Sequence, residues 1–145
     1  MKNYKKLLYF VPMAVWMIVI FAFSVQPAEL SNTNNSFIIT ELQKIGIDLT
    51  VIFGKDLANF LVRKAAHLTE YAVLYLFSYL GLCKNGKRNR LFPLLIVFLY
   101  AGSDEMHQLF VPGRSGRFRD VLIDTCGGTV GLLLTFIRKK SKQIE

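Results

Sequence analysis

Residues 91–110 read LFPLLIVFLYAGSDEMHQLF, and this stretch decides the fold. Its first half carries no charge, whereas Asp104, Glu105 and His107 follow within the same run. Because about 20 consecutive apolar residues are enough for an α-helix to cross a bilayer, the run predicts a transmembrane helix. Ionisable residues inside such a helix are costly to bury, so they mark a functional site by default.

Three further apolar runs are close to this one in length. Together the four runs predict membrane spans at about 7–23, 57–83, 91–110 and 121–137. The composition agrees, since 52% of the residues are apolar and only 19% are charged, against roughly 45–50% and about 25% in soluble domains. We therefore expect an all-α integral membrane protein, a bundle of four transmembrane helices that forms a single domain over residues 1–145. A soluble single-core domain and a disulfide-stapled secreted domain are excluded.

Basic residues cluster in three short segments, at residues 1–6, 84–90 and 138–145. These segments hold 11 of the 18 lysines and arginines and a single acid, Glu145. Positive residues in short loops favour the cytoplasmic side of a membrane, and four spans would place all three segments there. Both termini are therefore expected in the cytoplasm, and the first run is expected to remain as an uncleaved anchor. The net charge of +8 reflects this topology and does not indicate a nucleic-acid partner.

The predicted outer loop between the first two spans covers residues 24–56. It is polar over residues 31–36, after which Phe37, Ile38, Ile39, Leu42, Ile45 and Ile47 appear among polar residues. This pattern predicts a short amphipathic helix. Such a helix could lie on the outer membrane surface or form a cap over the helix bundle.

Polar residues recur at one depth in all four predicted helices. With a rise of about 1.5 Å per residue, Glu70, Asp104 and Asp124 each lie roughly 20 Å above the cytoplasmic edge of their spans. Spacings of three, four and seven residues place the polar groups of each helix on one face. We expect a water-accessible pocket that opens to the outside. Its expected residues are Ser24, Gln26, Arg63, His67, Glu70, Asp104, Glu105, Gln108, Asp120 and Asp124.

The loop between the third and fourth predicted spans carries three arginines, Arg114, Arg117 and Arg119. Arginines on the outer side go against the positive-inside trend, so something should offset their charge. One interpretation is pairing with nearby acids, for instance Arg119 with Asp120 or Asp124. The other is an anionic ligand, because arginine binds phosphate and carboxylate groups in a forked geometry. On that interpretation Arg114 also belongs to the ligand site.

Four segments of the chain resemble the VanZ-like family of small bacterial membrane proteins. The resemblance rests on FSVQ at 23–26, RKAAHLTEYA at 63–72, DEMHQLFVPGR at 104–114, and DVLIDT at 120–125 with the two glycines at 127 and 128. It implies a multi-span helical protein of the bacterial cytoplasmic membrane. The namesake of the family is associated with resistance to the glycopeptide antibiotic teicoplanin, so the resemblance implies a role in the cell envelope but no particular reaction.

Several functions are compatible with such a pocket. The first hypothesis is that it engages an anionic cell-wall or lipid molecule, with His67, Glu70 and Asp104 as candidate catalytic groups if a reaction follows. There are three alternatives. The first is a metal site built from these residues with Glu105 and His107, the second is a purely structural polar network, and the third is an ion pathway. The lipid bilayer is the expected partner, and no metal or other cofactor is predicted. The Gly127–Gly131 spacing favours close helix contact, within one chain or in a homo-oligomer.

Overall fold

The computed structural model describes residues 6–86 and 89–141, with side chains described as far as residue 137. Within these residues the protein is all-α, as predicted. A 3-10 turn at Leu8–Phe10 precedes six helices, which we number α1 (Val11–Ser24), α2 (Ala28–Lys44), α3 (Leu49–Phe53), α4 (Lys55–Lys84), α5 (Leu91–Gln108) and α6 (Phe118–Ser141). Helices α1, α4, α5 and α6 cover the four apolar runs.

Local sequence signals explain where several of these helices begin and end. Helix α1 has Pro12 in its first turn, where the missing backbone N–H costs nothing. Helix α3 begins at Asp48, whose carboxylate accepts hydrogen bonds from the backbone N–H groups of Thr50 and Val51 at 2.9 and 3.1 Å. Gly54, with φ of +78°, then separates α3 from α4.

Helix α2 differs from the helix expected in the outer loop. The helix was predicted from about Phe37 onward, but it begins at Ala28 and includes the polar stretch at residues 31–36. Its axis turns by 105° from that of α1, and it packs on α4 through Ile39, which joins Ala58 and Val62 in a small apolar cluster. In this arrangement α2 forms a cap over the helix bundle.

Helix α4 lies at the centre of the molecule. Its Tyr71, Leu74 and Tyr75 are completely buried, together with Val97 of α5. Helix α6 lies close against α4 because Gly127 faces the backbone of Leu68, and one turn later Gly131 faces the carbonyl oxygen of Ala72. The Gly127–Gly131 spacing therefore serves a contact within one chain.

Contacts between helix ends show how α1, α4, α5 and α6 are oriented relative to one another. At one end, the Asn85 side chain donates to the carbonyl of Lys6 at 3.2 Å, and the Arg90 guanidinium lies 4.1 Å from the ring centre of Phe136. At the other end, Gln108 donates to the hydroxyl of Ser24 at 3.1 Å. Among α1, α4, α5 and α6, each helix thus runs opposite to the one before it, and the polar layer gathers at the end capped by α2.

Among the described residues, one helical segment, Phe118–Ile137, is long and apolar enough to cross a membrane, and a second qualifies if α1 and α2 count as one broken span. Helix α1 alone has only 14 residues, and the polar layer lowers the hydropathy of α4 and α5. Composition therefore supports one or two spans rather than four. Part of the predicted cytoplasmic charge, at Lys2, Lys5, Lys87, Arg88 and Lys142, lies outside the described residues.

Candidate functional site

A cavity of about 200 Å³ lies beneath α2, at the end of the bundle where the polar layer gathers. Ile20 and Phe23 form part of its apolar wall. Seven of the eleven residues predicted for the site line this cavity; they are Ser24, Gln26, Arg63, His67, Glu70, Asp104 and Arg114. We call it the capped cavity. It brings together groups from α1, α4, α5 and the loop before α6.

A second cavity, of about 240 Å³, shares a wall with the first. Arg63, His67 and Arg114 line both cavities. Three more predicted residues, Glu105, Gln108 and Asp120, line only the second, as do Lys64, Phe60, Ser115, Arg117 and Arg119. We call it the basic cavity because cations outnumber acids in its lining. The last predicted residue, Asp124, is completely buried behind His67 and lines neither cavity.

Polar contacts fix the acids of the layer. Gln108 Nε2 donates both to Ser24 Oγ and to Asp104 Oδ2, each at 3.1 Å, and so ties α5 to α1. Glu105 Oε2 accepts from the backbone N–H of Arg117 at 2.8 Å, which holds the start of α6 against α5. These residues therefore have positioning roles that their spacing in the sequence does not reveal.

Two contacts between a basic and an acidic side chain join α4 to α6. Lys64 Nζ lies 2.8 Å from Asp120 Oδ1, and His67 Nδ1 lies 3.4 Å from Asp124 Oδ1. Neither contact has the geometry of a hydrogen bond. The expected pairing of Arg119 with Asp120 or Asp124 is wrong, because neither carboxylate lies within 4 Å of the Arg119 guanidinium and both acids instead contact residues of α4.

The arginines remain without acidic partners. Among the described side chains, no carboxylate lies within 4 Å of the guanidinium groups of Arg63, Arg114, Arg117 or Arg119. Arg114 instead donates through Nε to the carbonyl of Gln26 at 3.1 Å. Burial and the neighbouring charge of Arg63 lower the pKa of Arg114. Two cations therefore stand close together at the boundary of the two cavities.

Several buried polar atoms at the site have no partner among the described residues. They include Asp104 Oδ1, the hydroxyl of Tyr71, and the amide nitrogen of Asn35. Nor does any group of three or more His, Cys, Asp or Glu residues in the described part of the chain come together in a way that could hold a metal ion. The geometry thus favours hydrogen bonding and charge recognition by side chains.

Sequence reasoning missed the contribution of α2. Ser31, Asn34 and Asn35 line the capped cavity, and Asn34 donates to the side chain of Gln26 at 3.0 Å. The signal was the stretch SNTNNS at 31–36, which is too polar for the apolar face of a helix at a membrane surface. Lys64 was missed as well, since its neighbours in sequence gave no sign that it would face Asp120.

Comparison with known proteins places the chain in a family. No curated protein and no solved structure has a significant match to it. A family model described as VanZ/LLP1 matches residues 9–139, which takes in α1 to α5, α6 as far as residue 139, and every residue that lines either cavity. The chain therefore belongs to the VanZ/LLP1 family.

Proposed function

We propose that this protein spans the bacterial cytoplasmic membrane four times, with both termini in the cytoplasm, and that its outward-facing cavities bind an anionic lipid or cell-wall molecule. The observation that carries the proposal is the pair Arg63 and Arg114, which lies between two cavities without any carboxylate within 4 Å among the described side chains.

The outer surface of the long helices supports a lipid environment. Large apolar side chains are exposed along α1, α5 and α6, among them Ile18, Leu99, Leu133 and Ile137, each more than half exposed. Exposed apolar surface on this scale marks a membrane or protein contact. Because it covers three helices rather than one patch, a surrounding bilayer accounts for it best.

The chemistry of the cavities supports an anionic ligand. Arginine side chains present a planar fork of N–H donors that matches phosphate and carboxylate oxygens. Arg63 has no hydrogen bond or ion pair among the described residues, and it lines both cavities. An anion at this boundary would offset the positive charge that the structure leaves unpaired.

Arg63→Ala and Arg63→Lys test the anion site. The purified full-length protein is titrated with dioleoylphosphatidic acid, against dioleoylphosphatidylcholine as the neutral reference, and the fluorescence of Trp16 reports binding. Trp16 is the single tryptophan and its ring nitrogen donates to the carbonyl of Glu70 at 2.8 Å, beside the capped cavity. We expect Arg63→Ala to lose roughly tenfold or more in affinity, as a charged hydrogen bond is worth about 1.5–3 kcal/mol. Arg63→Lys should recover little, since lysine keeps the charge without the fork.

Lys44→Ala is the matched control for loss of one positive charge. Lys44 lies at the end of α2, is exposed, and pairs only with Glu41. It should bind phosphatidic acid like the unchanged protein. Equal binding of phosphatidic acid and phosphatidylcholine by the unchanged protein would defeat the proposal.

Acid–base catalysis on the bound molecule is a second candidate function. One contact favours it: the buried Asp124 meets His67, which lines both cavities beside Glu70 and Asp104. A carboxylate that orients a histidine is a recurring arrangement for proton transfer. Because His67 also contacts Asp124, the variant is compared with the unchanged protein at equal membrane abundance. His67→Ala would then retain lipid binding and lose the envelope phenotype, for which teicoplanin susceptibility is the readout that the family suggests. Arg63→Ala would lose both lipid binding and the envelope phenotype.

A further inference from the structure

The cap helix α2 contributes to the capped cavity one side-chain amide, that of Asn35, whose nitrogen has no partner in the described structure. Asn35 is 6% exposed, and its side-chain nitrogen makes no hydrogen bond. A buried donor without a partner costs about 1–3 kcal/mol, and such groups are rare in folded proteins. Asn35 lines the same cavity as Arg63 and Arg114.

Neutral polar groups surround Asn35. Ser31 and Asn34 of the same helix line the cavity beside it. None of these three residues carries a charge, whereas the charged residues of the lining, Arg63, His67, Glu70, Asp104 and Arg114, come from α4, α5 and the loop before α6. The cavity therefore has a neutral hydrogen-bonding end formed by α2 and a charged end that holds both arginines and two acids. Its volume of about 200 Å³ is below the roughly 300–1,000 Å³ of pockets for drug-sized ligands, so it suits a compact headgroup.

We propose that the neutral end of the capped cavity binds the hydroxyl groups of a phosphodiester lipid headgroup, with Asn35 as the selecting residue. This inference rests on the proposed function, since it takes the phosphate to lie at Arg63 and Arg114. A hydroxyl group both donates and accepts a hydrogen bond, so it satisfies the Asn35 amide whichever way that amide is turned. The hydroxyls of a glycerol headgroup and those of a sugar headgroup share this chemistry.

The test compares three lipids with the full-length protein. Dioleoylphosphatidic acid offers phosphate alone, dioleoylphosphatidylglycerol adds glycerol hydroxyls, and a polyprenyl phosphosugar adds sugar hydroxyls. Trp16 fluorescence reports each titration. We expect at least one hydroxylated lipid to bind fivefold or more tightly than phosphatidic acid, and the tighter of the two identifies the source of the hydroxyls.

Asn35→Ala is the decisive variant. It should abolish the preference for the hydroxylated lipid and leave the affinity for phosphatidic acid within twofold. Without lipid its melting temperature should equal or exceed that of the unchanged protein, because the variant removes an unpartnered buried donor. Thr40→Ala is the control, as Thr40 is an exposed residue of α2 that lines neither cavity.

The outcomes separate this inference from the proposal beneath it. If all three lipids bind equally, or if Asn35→Ala weakens phosphatidic acid as much as the hydroxylated lipid, the hydroxyl subsite is wrong while the anion site stands. A lower melting temperature for Asn35→Ala in the absence of lipid would also overturn it, because Asn35 would then be a structural group. Failure of every lipid to bind better than phosphatidylcholine would overturn the anion site itself.

Discussion

The contact between His67 and Asp124 crosses the interface of α4 and α6 with both groups shielded from solvent. The side chain of Asp124 is completely buried and that of His67 is 14% exposed. Removal of one partner from a buried pair leaves the other group desolvated and unpaired, which typically costs about 3–5 kcal/mol. The pair is therefore structural as well as a candidate for chemistry.

His67→Ala should consequently destabilise the protein, because it leaves the buried carboxylate of Asp124 without a partner. Asp124→Asn should destabilise it less, because the group that it leaves is a histidine, which is stable without a charge. In the double variant the loss should be smaller than the sum of the two single losses, as expected for groups in direct contact. Unfolding in detergent measures all three. Additive losses would mean that the two side chains do not interact.

Asp48 offers a pH test outside the membrane-spanning segments. Hydrogen bonds from the Thr50 side chain, from Gln43 and from the backbone at the start of α3 lower its pKa from 3.8 to about 2. A group whose pKa is lowered on folding adds stability above the unfolded pKa, and that stability is lost as the pH falls through the folded pKa. The hydrogen bonds from Thr50 and Val51 to the Asp48 carboxylate should thus be complete above about pH 4 and weaken toward pH 2.

The backbone amide signals of Thr50 and Val51, followed by NMR, should titrate with a midpoint near the lowered pKa of about 2. In Asp48→Asn the same signals should not titrate over this range, since asparagine has no proton to gain. A midpoint near 3.8 in the unchanged protein would show that the hydrogen bonds to the Asp48 carboxylate do not form.

At the scale of the helices, glycine decides how closely α6 approaches α4. A Cβ atom at Gly127 would meet the carbonyl oxygen and backbone of Leu68, which cannot move aside as a side chain can. Gly127→Ala should therefore push the two helices apart and strain the pairs of His67 and Lys64 with α6. We expect a lower melting temperature.

Gly102→Ala is the control for this substitution. Gly102 also lies within a helix, but a Cβ atom there has nothing within 4 Å. Alanine is favoured over glycine in a helix by about 0.8–1.0 kcal/mol, so Gly102→Ala should keep or raise the melting temperature. Equal behaviour of the two variants would contradict the close contact at Gly127.

The sequence predicted helix positions well and side-chain partners poorly, for a physical reason. Length and apolarity place α4 and α5 within a few residues of their predicted bounds, since these depend on local composition. Partners depend on how far each helix rotates about its axis. Thus Lys64 meets Asp120, and Asp124 meets His67, where Arg119 was the expected partner. The extent of α2 was missed because its polar residues conceal the face that packs through Ile39.

At the scale of the whole molecule, the two ends of the bundle differ in charge and in chemistry. The end beneath α2 holds both cavities and the unpaired arginines. The opposite end holds Lys6, Lys84 and Arg90 among the described residues. On the topology that we propose, the positive-inside rule places this basic end in the cytoplasm, and the cavities open to the outside.

Cysteine labelling distinguishes four spans from the smaller number that composition alone supports. Both alternatives predict that Thr33 of the cap and Ser115 of the loop before α6 lie outside and that Ser141 lies inside, so none of these three positions separates them. Asn89, between α4 and α5, separates the two alternatives. If α4 and α5 both cross the membrane, Asn89 lies in the cytoplasm; if they form an outer hairpin, it lies outside.

Single cysteines are introduced at these four positions in a protein whose Cys83 and Cys126 are replaced by alanine. Intact cells are then treated with a membrane-impermeant maleimide. We expect Thr33→Cys and Ser115→Cys to react, and Asn89→Cys and Ser141→Cys to react only after the cells are permeabilised. Thr33 and Asn89 are both exposed, so protection of Asn89→Cys would come from the membrane and not from packing. Labelling of Asn89→Cys on intact cells would reduce the protein to two spans and place the polar layer of α4 and α5 outside the bilayer, where its charges would need no buried partners.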